Sequence, residues 1–123
     1  MLDVAGFVPL SLCDYPGRVA AVVFTQGCNF RCPWCHNPRL ISRRDGDGAG
    51  ASAARRVLNL LAARRTRLGG VVVSGGEPTV HAATLPPFLR EVKALGLPVK
   101  LDTNGSRPDV LRRLFAEGLV DYV

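Results

Sequence analysis

Short apolar runs alternate along this chain with longer segments whose apolar positions recur every three or four residues. Residues 19–25 (Val-Ala-Ala-Val-Val-Phe-Thr), 71–74 (Val-Val-Val-Ser), 99–102 (Val-Lys-Leu-Asp) and 120–123 (Val-Asp-Tyr-Val) read as four strands. The first two are continuous apolar runs, the pattern of strands buried on both faces. A helix is expected over 53–68, with Ser52 as its N-cap and Val57, Leu60, Leu61 and Leu68 as its apolar stripe. It lacks a capping box, because Arg55 stands where Glu would help. Gly69-Gly70 should stop it. A second helix is expected over 85–95, with Pro86 and Pro87 in its first turn, where missing N–H groups cost little. A third, over 108–117, would pack Val110, Leu111, Leu114 and Phe115 before Gly118 ends it.

The order is βαβαβαβ, which predicts an α/β fold: a parallel sheet with helical crossovers. The polar, glycine-rich and cysteine-bearing segments follow the first three strands. That rim is where a parallel βα sheet or barrel places its site. Residues 43–50 (Arg-Arg-Asp-Gly-Asp-Gly-Ala-Gly) read as a loop.

Composition narrows the picture. The 123 residues suit one domain, and 47% are hydrophobic but only 7% aromatic, so the core must rest on Val, Leu and Ala. The net charge is +6, and 14 of the 16 basic residues are Arg. They are scattered, with no aromatic residues between them, as on solvated helix faces rather than a nucleic-acid surface. No secretory signal is visible at the N-terminus, and the longest apolar run is far too short to cross a bilayer. A cytoplasmic protein is the expectation, in which cysteines serve as metal ligands or catalysts more often than as disulfides.

The candidate chemistry begins at Cys28-Asn-Phe-Arg-Cys32-Pro-Trp-Cys35. Three thiols at these spacings let one loop wrap three corners of an iron–sulfur cubane. The fourth corner would lack a local cysteine, and an open metal position can bind a substrate directly. A structural zinc site using Cys28, Cys32 and Cys35 with His36 or Cys13 is the alternative. It is the weaker one, because His36 adjoins Cys35 and no second Cys-x2-Cys knuckle exists. Cys32-Pro-Trp-Cys35 also has thioredoxin-like spacing, but Cys28 and the strand order fit that poorly. Gly75-Gly-Glu-Pro78 falls at the end of the second strand. Its glycines would allow close backbone approach to a ligand, and Glu77 could pair with an ammonium or simply face solvent. Asp102 ends the third strand at the same rim, as an acceptor for ribose hydroxyls or as a turn residue.

With these motifs in place, the chain resembles the radical S-adenosylmethionine (SAM) superfamily. Within it, the chain is most similar to glycyl-radical-enzyme activating proteins, in particular activators of the anaerobic ribonucleoside-triphosphate reductase. The stretches that carry the likeness are residues 14–18 (Asp-Tyr-Pro-Gly-Arg), 22–38 around the cysteines, 72–79 (Val-Val-Ser-Gly-Gly-Glu-Pro-Thr) and 101–105 (Leu-Asp-Thr-Asn-Gly). The resemblance implies that Cys28, Cys32 and Cys35 ligate a [4Fe–4S] cluster whose fourth iron is chelated by SAM. It implies that Gly75, Gly76 and Glu77 position the methionyl amino group and that Asp102 contacts the ribose. Trp34 would pack near the adenine, or serve as ordinary core. A flavodoxin- or ferredoxin-like donor would supply one electron, and the 5′-deoxyadenosyl radical would take a hydrogen from a backbone glycine of the partner.

The resemblance also sets an expectation about extent. Residues 1–123 would be one radical SAM domain, the N-terminal portion of a partial (βα)6 TIM-like barrel truncated in its fourth strand. Cys13 is left unassigned. Two further readings stay open: a radical SAM enzyme acting on a small molecule or RNA, and a non-catalytic metal-binding fragment.

Overall fold

The two continuous apolar runs lie side by side as parallel strands, β2 (Ala20–Thr25) paired without a shift to β3 (Gly70–Gly75). The computed structural model describes residues 2–26 and 49–123. A third parallel strand, β4 (Val99–Leu101), pairs with β3 through Val71–Val99, Val72–Lys100 and Val73–Leu101. Crossovers α1 (Ala49–Arg64) and α2 (Leu85–Ala94) precede β3 and β4, and α3 (Pro108–Ala116) follows them.

Alternation along the strands gives the sheet two buried faces. Ala21, Val23, Val71, Val73, Val99 and Leu101 point into the main core, against Leu61 of α1, Phe88 and Leu89 of α2, and Leu114 of α3. Ala20, Val22 and Val72 point to the opposite face, where Tyr15 covers them and Phe24 packs alongside. The expected α/β class, with a parallel sheet and helical crossovers, is therefore what the chain adopts.

Three details differ from the expectation. First, an N-terminal strand precedes the others: β1 (Val4–Ser11) runs antiparallel to β2 on the sheet edge. Its sequence hides it, because Gly6 and Pro9 interrupt it and two register shifts spoil the alternation. Proline is tolerated there because, among the described residues, β1 pairs on one side only. Second, α1 starts at Ala49, so Ser52 lies inside the helix rather than capping it, and Gly69 falls two residues beyond a turn in which Arg67 N–H bonds the Arg64 carbonyl. The buried stripe is Ala54, Val57, Leu58 and Leu61, while Leu60 is exposed. In α3, Val110 and Leu114 are buried but Phe115 is half exposed. Third, residues 120–123 contribute one parallel bridge, Lys100–Tyr122, rather than a strand. Leu101 N–H bonds the Tyr122 carbonyl at 2.8 Å, so this segment begins a ladder on the β4 edge. Among the described residues, no helix is long and apolar enough to cross a membrane.

Candidate functional site

The C-terminal ends of β2, β3 and β4 meet on one rim. Thr25 pairs with Gly75, the Gly76 N–H donates to the Thr25 carbonyl at 3.1 Å, and the Asp102 N–H donates to the Val73 carbonyl at 2.9 Å. Gly75, Gly76, Glu77 and Asp102 are thus brought together, as their spacing predicts. The chain leaves this rim at Gln26 toward the cysteine segment. Cys28, Cys32, Trp34 and Cys35 lie outside the described residues, so the geometry here is that of the rim they depart from.

Gly75 has φ of 101°, and a Cβ there would sit 2.4 Å from the Thr25 nitrogen. Its close approach is therefore to the neighbouring strand, and the glycine lets β2 and β3 stay paired to their last residues.

Glu77 is buried, with 1% of its surface exposed. Its Oε2 accepts from the Thr79 N–H at 2.8 Å and from the Thr79 hydroxyl. The Thr103 hydroxyl lies 2.9 Å from both carboxylate oxygens, and the Asn104 N–H donates to Oε1 at 2.6 Å. A buried carboxylate demands such donors. Here they come from the loops after β3 and β4, so the carboxylate fastens two loops of the rim to each other rather than facing solvent. Asp102 is more open: 37% of its side chain is exposed, and one oxygen is held by Lys100 at 2.8 Å.

Two residues of this region carried no signal in the spacing of motifs. His81 is buried, and its Nε2 lies 2.6 Å from the Gln26 carbonyl, which can only accept; Nε2 therefore carries a proton and donates. The His81 backbone also anchors the start of α2, accepting from Leu85 N–H at 2.8 Å. It joins the loop after β3 to the stem of the cysteine segment. Lys100 could have been suspected, as a charge within a buried strand.

Cys13 is exposed and stands two residues beyond Ser11, which pairs with Ala20. That is the opposite end of β2 from Gln26, about 20 Å away at the usual rise per strand residue. Among the described residues, no group of three or more His, Cys, Asp or Glu could hold a metal ion. The thiolate trio expected from the sequence, Cys28, Cys32 and Cys35, lies beyond Gln26 and outside the described residues. The adjoining rim offers the half-buried Asp102 carboxylate, one oxygen of which is bound by Lys100, as an acceptor for a polar ligand.

The radical SAM superfamily pattern matches residues 22–123. A protein of Methanocaldococcus jannaschii named as a glycyl-radical enzyme activating enzyme is 38% identical over 120 residues, covering 98% of this chain and 48% of that protein. The pyruvate formate-lyase-activating enzyme of Staphylococcus epidermidis is 34% identical over 93 residues, covering 74% of this chain and 37% of the relative. The 7-carboxy-7-deazaguanine synthase of Aquifex aeolicus is 32% identical over 103 residues, covering 84% and 44%. The chain spans about half the length, or less, of these relatives. With the family pattern running from β2 to the last residue, across every strand end that forms the rim, the chain belongs to the radical SAM superfamily.

Proposed function

We propose that the protein carrying this chain is an activating enzyme that installs a glycyl radical on a partner enzyme. The observation that carries the reading is the convergence of the cysteine-segment stem, the Gly75–Glu77 turn and Asp102 on one rim of a parallel sheet. The two relatives with activating-enzyme names support the reaction class.

Cys28, Cys32 and Cys35 would hold a [4Fe–4S] cluster, and SAM would occupy the open corner and the rim beside it. When bound and reduced, the cluster would supply one-electron reduction of the SAM sulfonium, with methionine as the leaving group. The residues of this chain position the reactants. Gly75 lets the β2 and β3 ends stay close. Glu77 fixes the loops after β3 and β4, so the backbone groups of Gly76 and its neighbours are preorganised toward the amino group of SAM. Asp102 offers a carboxylate oxygen to the ribose hydroxyls, and the family resemblance assigns the adenine contact to Trp34. His81 holds the stem from which the thiolates project.

The partner's reacting group is a backbone glycine Cα–H. An anaerobic ribonucleotide reductase is the partner we favour, on the strength of the motif resemblance, with a flavodoxin- or ferredoxin-like protein as electron donor in the cytoplasm. The likeness to 7-carboxy-7-deazaguanine synthase gives a second reading, a small-molecule substrate on the same scaffold.

The test uses the whole protein, prepared without oxygen and with its cluster reconstituted. Incubation with SAM, a reductant and a candidate glycyl-radical enzyme should produce 5′-deoxyadenosine, methionine and the doublet of a glycyl radical in the electron paramagnetic resonance spectrum. SAM cleavage with no radical on either an anaerobic ribonucleotide reductase or a pyruvate formate-lyase would contradict the activating role and favour the small-molecule reading.

A further inference from the structure

Lys100 stands on the sheet face that turns away from the helices. It pairs with Val72, which pairs with Val22, and both valines belong to the small apolar cluster under Tyr15. An ammonium among such neighbours needs partners. Lys100 Nζ donates to the Asp14 carbonyl at 2.8 Å and to Asp102 Oδ1 at 2.8 Å, and it lies 6.0 Å from the centre of the Tyr122 ring. Only 16% of the side chain is exposed.

The two acceptors lie at different levels of the sheet. Asp14 belongs to the segment that closes the N-terminal end of the strands. There the Tyr15 ring fills the space that Gly70 leaves: a Cβ on Gly70 would sit 2.8 Å from it. Asp102 lies at the C-terminal rim. One Nζ reaches both acceptors, so Lys100 ties the segment between β1 and β2 to the Asp102 side chain at the rim. One Asp102 oxygen is bound to Lys100, and among the described residues no hydrogen bond reaches the other.

We propose that Lys100 is the positioning residue for Asp102, holding one carboxylate oxygen so that the other is presented to the ribose hydroxyls of the nucleoside at the rim. The inference rests on the SAM-binding reading above and adds a residue to it. Without Lys100, a carboxylate just beyond a three-residue strand would be free to rotate away, and its hydrogen bond to the sugar would lose orientation.

The experiment measures equilibrium binding of SAM and of its 2′-deoxy analogue to the whole, cluster-loaded protein. The variants are Lys100→Met, Lys100→Arg, Asp102→Asn and the Lys100→Met/Asp102→Asn double. We expect Lys100→Met to weaken SAM about tenfold, the loss of one charge-assisted hydrogen bond, and to narrow discrimination against the analogue. Lys100→Arg should recover most of both. The double variant should bind no more weakly than Asp102→Asn alone, because Lys100 acts through that carboxylate. Lys100→Gln, which keeps a donor for the Asp14 carbonyl, replaces Lys100→Met if the latter does not fold. Unchanged SAM binding in Lys100→Met, or single effects that multiply in the double variant, would overturn the inference. A silent Asp102→Asn would instead remove the ribose contact itself, and with it the reason for a positioning lysine.

Discussion

The Glu77 carboxylate accepts a 2.6 Å hydrogen bond from the backbone N–H of Asn104, 27 residues away in sequence and on the next strand's loop. The Thr103 hydroxyl reaches the same carboxylate. The acidic side chain of the Gly-Gly-Glu-Pro turn thus binds its neighbour loop in this fold, and any ligand contact it favours is made by the loops it holds.

Replacing Glu77 tests that role. Glu77→Ala leaves the Asn104 and Thr79 N–H groups and two hydroxyls without their acceptor, at about 1–3 kcal/mol for each donor that stays buried. Urea unfolding of Glu77→Ala should show a loss of several kcal/mol. Glu77→Gln retains one acceptor oxygen and should lose less. Both should retain the cluster and bind SAM more weakly. A Glu77→Ala protein as stable as wild type would show that the carboxylate is not the fastening between the loops.

Gly75→Ala should be destabilising through the backbone. At φ of 101° an alanine is strained, and its Cβ would press against the Thr25 nitrogen, which cannot move without breaking the β2–β3 pairing. We expect about 2–5 kcal/mol of lost stability by urea unfolding. An alanine variant within 1 kcal/mol of wild type would contradict the close approach.

His81→Phe should keep the ring volume but lose the bond to the Gln26 carbonyl. The expected cost is about 1 kcal/mol, together with several-fold faster iron release to a chelator, because the stem of the cysteine segment is loosened. His81→Gln can donate to the same carbonyl and should release iron within about twofold of wild type, as one retained donor predicts. Equal release rates in all three proteins would show that His81 is packing alone.

Acid should weaken the join between β4 and the segment after α3. Burial raises the Asp121 carboxyl, but the Lys93 ammonium at 2.6 Å and the Val99 N–H outweigh it, and the net effect holds the group below its ordinary value. Its stabilising contribution is then present at neutral pH and is lost as pH falls through that lowered value, below about pH 4. Thermal unfolding between pH 7 and pH 3 should show wild type losing more stability than Asp121→Asn. Parallel losses in the two proteins would contradict the assignment.

The sheet was legible because β2 and β3 are Val-rich runs long enough to have no competing helical pattern, and α2 because its prolines and flanking glycine bracket it. β1 was not, since Gly6, Pro9 and its bulges erase the period-two signal. In α1 the sequence offers Leu60 and Leu58 equally, and only the packing against the sheet decides that Leu58 is inside. The rim residues Gly75, Glu77 and Asp102 could be placed from their positions after strands. Their partners could not: the Glu77–Asn104 and Lys100–Asp102 contacts depend on which strands are neighbours and which face each residue takes. His81 has no spacing relation to Gln26 that a sequence displays.

The central claim is that Cys28, Cys32 and Cys35 hold a cubane whose remaining iron is open to SAM. Its most direct test is iron and acid-labile sulfide analysis of the whole protein reconstituted without oxygen, with the reduced electron paramagnetic resonance spectrum recorded before and after SAM. About four irons and four sulfides per chain, as the cluster type requires, and a spectrum altered by SAM are predicted, with both lost in Cys32→Ala. Bound zinc without sulfide, or a cluster whose spectrum ignores SAM, would contradict the account.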